Sequence, residues 1–228
     1  MRRVKELVKR VVMTLVMVAS LTVGIFSFNV YANPKLKYEL PKSCIAYEFK
    51  GNVLLDLPHS DVYDKVNGIR DNGANYGDIT EREISESITM KVKEILEKNG
   101  VRVTLTRSLD DSVSLEDRIN ISNKGNYDYY ISLHCNASEN SQANGVESYS
   151  SSAWSLSNNI TKRLVSELGM NNRGIYETPY YTQHMKCKTM LYEMGFGSNQ
   201  NDKYNLVNKQ DTYAKIIAEE IINILQNN

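Results

Sequence analysis

The sequence predicts an α/β fold: a mixed, mostly parallel sheet with helices on both faces, in a single domain. Short apolar segments alternate with amphipathic helical segments up to the last turn of the chain, a pattern typical of such folds. The 228 residues, 41% of them hydrophobic, suffice for one substantial core. Because ligands of such sheets bind beyond the carboxyl ends of the strands, polar residues at those ends are the candidates for function.

The first 32 residues differ in character from the rest. Five cations precede an uncharged apolar run from Val11 to Phe28, and the small residues Val30 and Ala32 satisfy the rule for signal peptidase. We expect a signal peptide at 1–32 and a short lead-in segment at 33–50. An uncleaved membrane anchor is the alternative, because the apolar run is at the lower edge of what spans a bilayer. Either reading predicts a working domain outside the cytoplasm.

Charge and cysteine content exclude some classes of protein. Without residues 1–32, the 27 cations fall by five to 22 and the 27 anions fall by one to 26. This net charge of −4 argues against nucleic-acid binding. The cysteines Cys44, Cys135 and Cys187 are odd in number and widely spaced, so they indicate neither a disulfide framework nor a zinc knuckle. At most one pair could form a disulfide.

The sequence pattern of the first half of the domain predicts two strands and two helices. The segment "GNVLLDL" is typical of a short buried strand, and a polar loop follows it. A capping box of Thr80 and Glu83 then begins a long amphipathic helix. The predicted elements are a strand at 51–57, a loop at 58–79, a helix from Thr80 to Asn99, a strand at 101–106 and a helix at 114–122.

The sequence pattern of the second half of the domain predicts three strands and two helices. Its strands are short and apolar, and its helices repeat apolar residues every three or four positions. The predicted elements are strands at 127–134, 146–149 and 188–193, and helices at 155–168 and 213–225.

Three chemically capable residues stand just after predicted strands: His59, His134 and Glu193. Glu81 begins the helix that follows the first strand, where the helix dipole tolerates a carboxylate. Two imidazoles and one carboxylate are a common ligand set for catalytic zinc, and a further carboxylate could act as general base. The alternatives stay open, because a histidine at a strand end is commonly structural and Glu81 could simply favour the helix start. His184, in a polar stretch, is interpreted as a surface residue.

Two segments resemble the signatures of a known family. "ISLHCNAS", from Ile131, and "LYEMGFGSN", from Leu191, are similar to signatures of the zinc-dependent N-acetylmuramoyl-L-alanine amidases of the type 3 family. "GVRVTLTR", from Gly100, resembles that family's second strand, and "NRG" at 172–174 also recurs there. The resemblance runs from about Gly51 to the C-terminus, so 51–228 is expected to be the catalytic domain.

The resemblance also implies roles for individual residues. His59, Glu81 and His134 match the family's zinc ligands, one Zn²⁺ per chain, and Glu193 matches its catalytic base. Asn136 should point to the same side of its strand as His134, so it could help to orient substrate. A turn-forming asparagine is an equally good interpretation of Asn136.

The chain departs from the family around His59. It has "DLPHSD", with Pro58 and Ser60 where the family has glycines, and Gln183 where an arginine is common. The segment after His59 is also longer than usual. We hypothesise that the loop at 60–75 forms one wall of a substrate groove, since long loops at the carboxyl end of a strand are often functional. A solvated surface excursion is the alternative.

The implied reaction is hydrolysis, by zinc-activated water, of the amide between the lactyl group of N-acetylmuramic acid and L-alanine of the peptidoglycan stem. A zinc carboxypeptidase-like protease uses the same ligand types, but the two signatures argue against it. The other alternative is a secreted, catalytically impaired protein that binds cell-wall peptide or a partner. The expected partners are peptidoglycan and an activating or targeting protein, with no nucleic acid and no membrane except through an uncleaved N-terminal segment. The expected location is secreted, cell-wall associated or membrane-anchored.

Overall fold

The computed structural model describes residues 49–64 and 69–227. The strands are β1 (Asn52–Asp56), β2 (Ser60–Asp64), β3 (Ile69–Asp71), β4 (Arg102–Leu105), β5 (Tyr129–Asn136), β6 (Val146–Ser151), β7 (Asn172–Glu177) and β8 (Lys188–Phe196). The helices are α1 (Glu81–Lys98), α2 (Leu115–Lys124), α3 (Trp154–Leu168), α4 (Gln200–Asn208) and α5 (Gln210–Gln226), with a 3₁₀ helix at Tyr181–His184.

Six strands form the main sheet, in the order β4-β1-β5-β8-β6-β7. Neighbours are parallel throughout, except that β6 runs antiparallel to β8. The central strands β5 and β8 are buried along most of their length, as strands covered on both faces must be. The predicted fold class, a mixed and mostly parallel sheet, is confirmed.

Alternating side chains of the strands divide the core between the two faces of the sheet. On one face, Val53 of β1 and Ile131 and Leu133 of β5 belong to a large cluster with α1, α3 and α5. On the other face, Leu54 and Tyr130 pack with residues of α2 and the 3₁₀ helix. Helices therefore cover both faces, but α2 and the 3₁₀ helix cover only part of the second one.

The helix starts follow from the capping residues that the sequence contains. Thr80 accepts a hydrogen bond from the backbone N–H of Glu83, and the Glu83 carboxylate accepts one from the N–H of Thr80. This capping box fixes the first residue of α1 as Glu81. Ser114 caps α2 in the same way by accepting from Asp117. Both helices begin where the sequence predicts.

The structure contains elements that the sequence pattern does not predict. The loop predicted at 58–79 holds the antiparallel hairpin of β2 and β3, and the 3₁₀ helix, β7 and α4 are also additional. β7 is an edge strand without buried side chains, and α4 buries only Asp202 and Leu206. Such elements lack the apolar repeat on which a sequence-based prediction depends. The strands β5 and β8 also continue to Asn136 and Phe196, past their predicted ends.

A buried ion pair joins β1, β5 and α2 beneath the sheet edge. The carboxylate of Asp56 pairs with Arg118 of α2 and accepts hydrogen bonds from the hydroxyls of Thr106, at 2.6 Å, and Ser132, at 2.7 Å. Burial alone would raise the pKa of Asp56, but Arg118 and the two hydroxyls hold that pKa below its usual value. Asp56 is therefore a fully partnered structural carboxylate.

The predictions for the N-terminal region lie almost entirely outside the described residues. These are the signal peptide at 1–32, the lead-in segment except Phe49 and Lys50, and any pairing by Cys44. Cys135 and Cys187 are free cysteines, and they lie in different hydrophobic clusters. Among the described helices, none has the length and apolar character needed to cross a bilayer.

Candidate active site

His59, Glu81 and His134 converge at the carboxyl edge of the sheet. The Nδ1 atom of His134 lies 2.8 Å from Oε1 of Glu81, and the Nε2 atom of His59 lies 3.0 Å from the same oxygen. One ligand atom from each residue lies within 4.8 Å of the others. The parallel pairing of β1 with β5 brings the two histidines to one edge, and the start of α1 supplies the carboxylate.

The Glu81 carboxylate is also held by the backbone. Its Oε2 atom accepts a hydrogen bond of 3.0 Å from Ala74, and its Oε1 atom accepts one of 3.2 Å from Cys135. Burial alone would raise the pKa of Glu81, but the imidazoles of His134 and His59 hold that pKa far below its usual value. Glu81 is therefore ionised at neutral pH.

His59 is oriented by a carboxylate that the sequence analysis does not single out. Its Nδ1 atom lies 2.9 Å from Oδ2 of Asp71, whose Oδ1 atom accepts a hydrogen bond of 2.9 Å from the N–H of Gly73. Burial alone would lower the pKa of His59, but Glu81 and Asp71 raise it to about 9. Metal-binding histidines commonly use their second nitrogen in this way, which turns the other nitrogen toward the ion.

Gly73 allows the backbone to pass close to the cluster. It has φ +66, and a Cβ atom there would lie 2.6 Å from Oε2 of Glu81 and 2.8 Å from Nε2 of His59. No real Cβ atom sits at such distances, and the left-handed φ also favours glycine. The segment between β3 and α1 is therefore shaped around the imidazole and the carboxylate.

Two arginines hold the turn that carries His59. Arg107 donates from Nε to the carbonyl oxygen of Leu57, at 3.0 Å, and from Nη2 to that of Pro58, at 3.3 Å. Arg118 donates to the same Leu57 oxygen at 3.1 Å. His59 itself has φ +58, a conformation that non-glycine residues adopt only when their surroundings enforce it. The turn without flanking glycines thus still delivers His59 to the cluster.

The three residues fit a zinc ion. Zinc takes imidazole nitrogens and carboxylate oxygens at about 2.0–2.2 Å, usually in a tetrahedron. Three such donors already lie around one point, and the buried Nε2 atom of His59 has no well-directed hydrogen bond within the described residues. Asp71 supplies the outer carboxylate that such sites use.

Glu193 lies beside the cluster and is nearly devoid of partners. The residue is paired in register with His134 across the parallel strands β5 and β8. Its Oε2 atom is buried, and no described residue offers it a hydrogen bond. Burial raises the pKa of Glu193 to about 7; His134 and His59 oppose that shift, and Glu81 and Glu147 add to it. A carboxylate with such a pKa can accept and return a proton near neutral pH.

A cavity of about 400 Å³ opens onto these residues, which is within the usual range for small-ligand sites. One wall carries His59, Asp71, His134 and Glu193. Other lining residues come from the segment before α2, from α2 and from the start of the 3₁₀ helix, with Val113, Leu115, Tyr180 and Tyr181 among them. The candidate site residues therefore line an accessible cleft.

The remaining candidates lie apart from the three-residue cluster. Asn136 donates from Nδ2 to Oε1 of Glu147, at 2.7 Å, and its Oδ1 atom accepts from the N–H of Ala137. His184 and Gln183 are exposed on the 3₁₀ helix, which agrees with a surface position for His184. The sequence pattern does not predict a role for Asp71, Gly73 or Glu147, because their proximity to the site depends on contacts between residues distant in sequence.

Comparison with known proteins identifies the family that the chain resembles. The family model described as N-acetylmuramoyl-L-alanine amidase matches residues 53–227, which is more than half of the chain. The N-acetylmuramoyl-L-alanine amidase LytC of Bacillus subtilis is 30% identical over 165 residues. That alignment covers 69% of this chain but only 33% of LytC, so the chain spans about a third of that relative.

Solved structures of amidases share the fold. The amidase AmiC2 of Nostoc punctiforme superimposes with a TM-score of 0.69 at 28% identity, covering 78% of this chain and 98% of AmiC2. The CwlD amidase of Clostridioides difficile, solved in complex with the GerS lipoprotein, gives a TM-score of 0.66 at 25% identity, covering 78% of this chain and 100% of CwlD. With the family match over 53–227, these similarities show that the chain belongs to the N-acetylmuramoyl-L-alanine amidase family.

Proposed function

We propose that the chain is a zinc-dependent amidase that hydrolyses the bond between the lactyl group of N-acetylmuramic acid and L-alanine of the peptidoglycan stem. One observation carries this proposal: a His-Glu-His group suited to a metal ion lies beside Glu193, a half-buried carboxylate that is in register with one of its histidines. Membership of the amidase family supports the choice of substrate.

In this proposal, His59, Glu81 and His134 hold the zinc ion, and Asp71 orients His59. When bound there, zinc would supply a Lewis acid for the lactyl carbonyl group and for a water molecule. Glu193 takes the proton of the attacking water and passes it to the nitrogen of the leaving L-alanine. The raised pKa of Glu193, about 7, suits both steps.

We also propose that residues 51–228 are the catalytic domain and that residues 1–32 direct it outside the cytoplasm, as a cleaved signal or as an anchor. An activating or targeting protein partner is a further proposal, for which the complex of CwlD with a lipoprotein is a precedent. The alternative of a catalytically impaired protein rested on the altered turn. Because that turn still places His59 in the cluster, we do not favour this alternative.

The first prediction concerns the metal. The mature protein should contain one zinc per chain, and His134→Ala should lose most of it, since two remaining donors bind zinc far more weakly than three. Elemental analysis after dialysis measures this content. His184→Ala removes an exposed histidine outside the cluster and should keep full zinc. Full retention of zinc in His134→Ala would contradict the proposed site.

The second prediction separates metal binding from proton transfer. Glu193→Gln conserves the size of the side chain but removes the proton acceptor. We expect unchanged zinc content and a fall in amide cleavage of roughly 10²-fold or more, the usual scale for loss of a general base. Release of free N-terminal L-alanine from purified cell wall measures the rate. Equal activity of the two proteins would exclude Glu193 from the mechanism.

The third prediction concerns stability of the zinc-free protein. The pKa of Glu193 rises from 4.5 to about 7 on folding, so between these pH values the folded state retains a proton that the unfolded state has lost. Stability therefore falls as pH increases through this range. Glu193→Gln should remove this loss. At pH 8 it should be more stable than wild type by on the order of 3 kcal/mol, since one pKa unit corresponds to about 1.4 kcal/mol.

Urea unfolding of both chelator-treated proteins at pH 4.5 and pH 8 measures this difference. The advantage of Glu193→Gln should shrink toward zero at pH 4.5, where Glu193 is protonated in the folded state. Glu139→Gln changes an exposed glutamate and should show no pH-dependent gain. A constant difference at both pH values would mean that packing, not ionisation, is responsible.

The fourth prediction concerns the hairpin of β2 and β3, which we propose to be one wall of the substrate groove. Its base adjoins the site through Ser60 and Asp71, which line the cavity. Replacing residues 61–70 by a two-residue link should leave zinc content intact but change the relative rates on different wall fragments. Asp61→Asn, which only removes an exposed ion-pair partner of Arg82, should behave as wild type. If the shortened protein keeps the same rates and the same preference among wall fragments, the hairpin is a solvated excursion on the surface and not a wall of the groove.

A further inference from the structure

Glu147 and Arg173 form an ion pair next to the proposed general base. Glu147 of β6 is in register with Glu193 across the antiparallel pair β6–β8, so both side chains point to the same face of the sheet. Arg173, on the neighbouring edge strand β7, donates from Nε to Oε2 of Glu147 at 2.7 Å. The Glu147 side chain is 8% exposed, whereas that of Arg173 is 39% exposed. The pair thus has a buried anion and an accessible cation.

The guanidinium group of Arg173 is held in place on two sides. Its Cζ atom lies 4.8 Å from the centre of the Phe196 ring, a stacking distance typical of cation–π contacts. Glu147, in turn, is fixed at its other oxygen by Asn136 Nδ2, at 2.7 Å, and by the hydroxyl of Tyr149, at 3.2 Å. Arg173 is therefore anchored through a carboxylate whose two oxygens are both engaged.

Two donor groups of this guanidinium are available. No described residue accepts a hydrogen bond from its terminal nitrogens, Nη1 and Nη2, since the recorded bond uses only Nε. Arg118, another cation on this face, differs because it is buried and paired with Asp56. An arginine with a fixed plane and a free pair of N–H groups is suited to bind a carboxylate in a bidentate manner.

The substrate class of the proposed reaction carries such a carboxylate two residues from the bond that is cleaved. The second stem residue of peptidoglycan is a D-glutamate linked through its γ-carboxyl group, so its α-carboxyl group is either a free acid or an amide. Two residues of extended peptide span about 7 Å. Two strand spacings separate β8 from β7, about 10 Å, and Arg173 reaches back across β6 toward Glu147.

Resting on the proposed amidase activity, we propose that Arg173, oriented by Glu147, binds the α-carboxylate of the second stem residue and makes the enzyme prefer the free acid over the amide. Asn136 then acts as a positioning residue through Glu147. A purely structural ion pair would influence both forms of the substrate equally, because it would not contact the group by which they differ.

The test compares two muramyl peptides that differ only in this α-carboxyl group, free or amidated. With wild-type protein, kcat/KM should be about 10-fold or more higher for the acid, the scale of a hydrogen bond to a charged group. Arg173→Gln should lower the value for the acid to that for the amide, mainly through KM. Arg173→Lys should keep part of the preference. Lys186→Gln removes an exposed cation elsewhere and should leave the ratio unchanged.

Two outcomes would overturn the proposal: no preference in the wild type, or an equal loss on both peptides in Arg173→Gln. If zinc-loaded wild type cleaves neither peptide, the proposed activity itself fails. Whether Arg173 binds the α-carboxylate is then tested by calorimetry, which measures the affinity of the Glu193→Gln protein for each of the two peptides. Tighter binding of the acid supports the role of Arg173, and equal affinity excludes it.

Discussion

The carboxylate of Glu81 is the point on which the arrangement of the site depends. Its Oε1 atom lies within 3.0 Å of both imidazoles, and the carboxylate accepts backbone hydrogen bonds from two further segments, at Ala74 and Cys135. A buried anion is costly unless it has such partners. Its position is set locally, because the capping box of Thr80 and Glu83 determines that Glu81 is the first residue of α1. A local helix-start signal thus controls a contact between three distant segments.

Two carboxylates on the same face of the sheet, the buried Asp56 and the half-buried Glu193, show how hydrogen-bond partners distinguish a structural group from a reactive one. Asp56 has an arginine and two hydroxyl donors, and its pKa is lowered. Glu193 has an oxygen without a partner in the described part of the chain, and its pKa is raised to about 7. Proteins rarely leave a buried acid so poorly partnered without a functional reason. The same lack of partners that lowers the stability of the folded protein makes Glu193 ready to accept a proton.

The sequence predicts those parts of the fold whose signal is local. The apolar repeat of α1, its capping box and the apolar runs of β5 and β8 predict elements that the structure contains. The strand ends predict that His59 and His134 lie close together, because parallel strands share an edge. β7 and α4 escape prediction because they bury little apolar surface. Asp71 escapes because it approaches His59 only after the hairpin brings β3 back to β2. Arg173 escapes because its partner Glu147 lies on another strand.

The one antiparallel pairing within the six-stranded sheet, that of β6 with β8, makes the two sides of the site different. Because β6 runs against β8, the start of β6, not its end, lies at the catalytic edge, and Glu147 becomes the neighbour of Glu193. On the opposite side, the hairpin of β2 and β3 follows His59 directly and returns through Asp71. The base of the hairpin thus lines the cleft through Ser60 and Asp71, and the edge strand β7, which lacks buried side chains, lies beyond β6. Because core packing constrains the hairpin and β7 little, their residues can vary with the substrate, while the capping box holds Glu81 and the sheet holds Glu193.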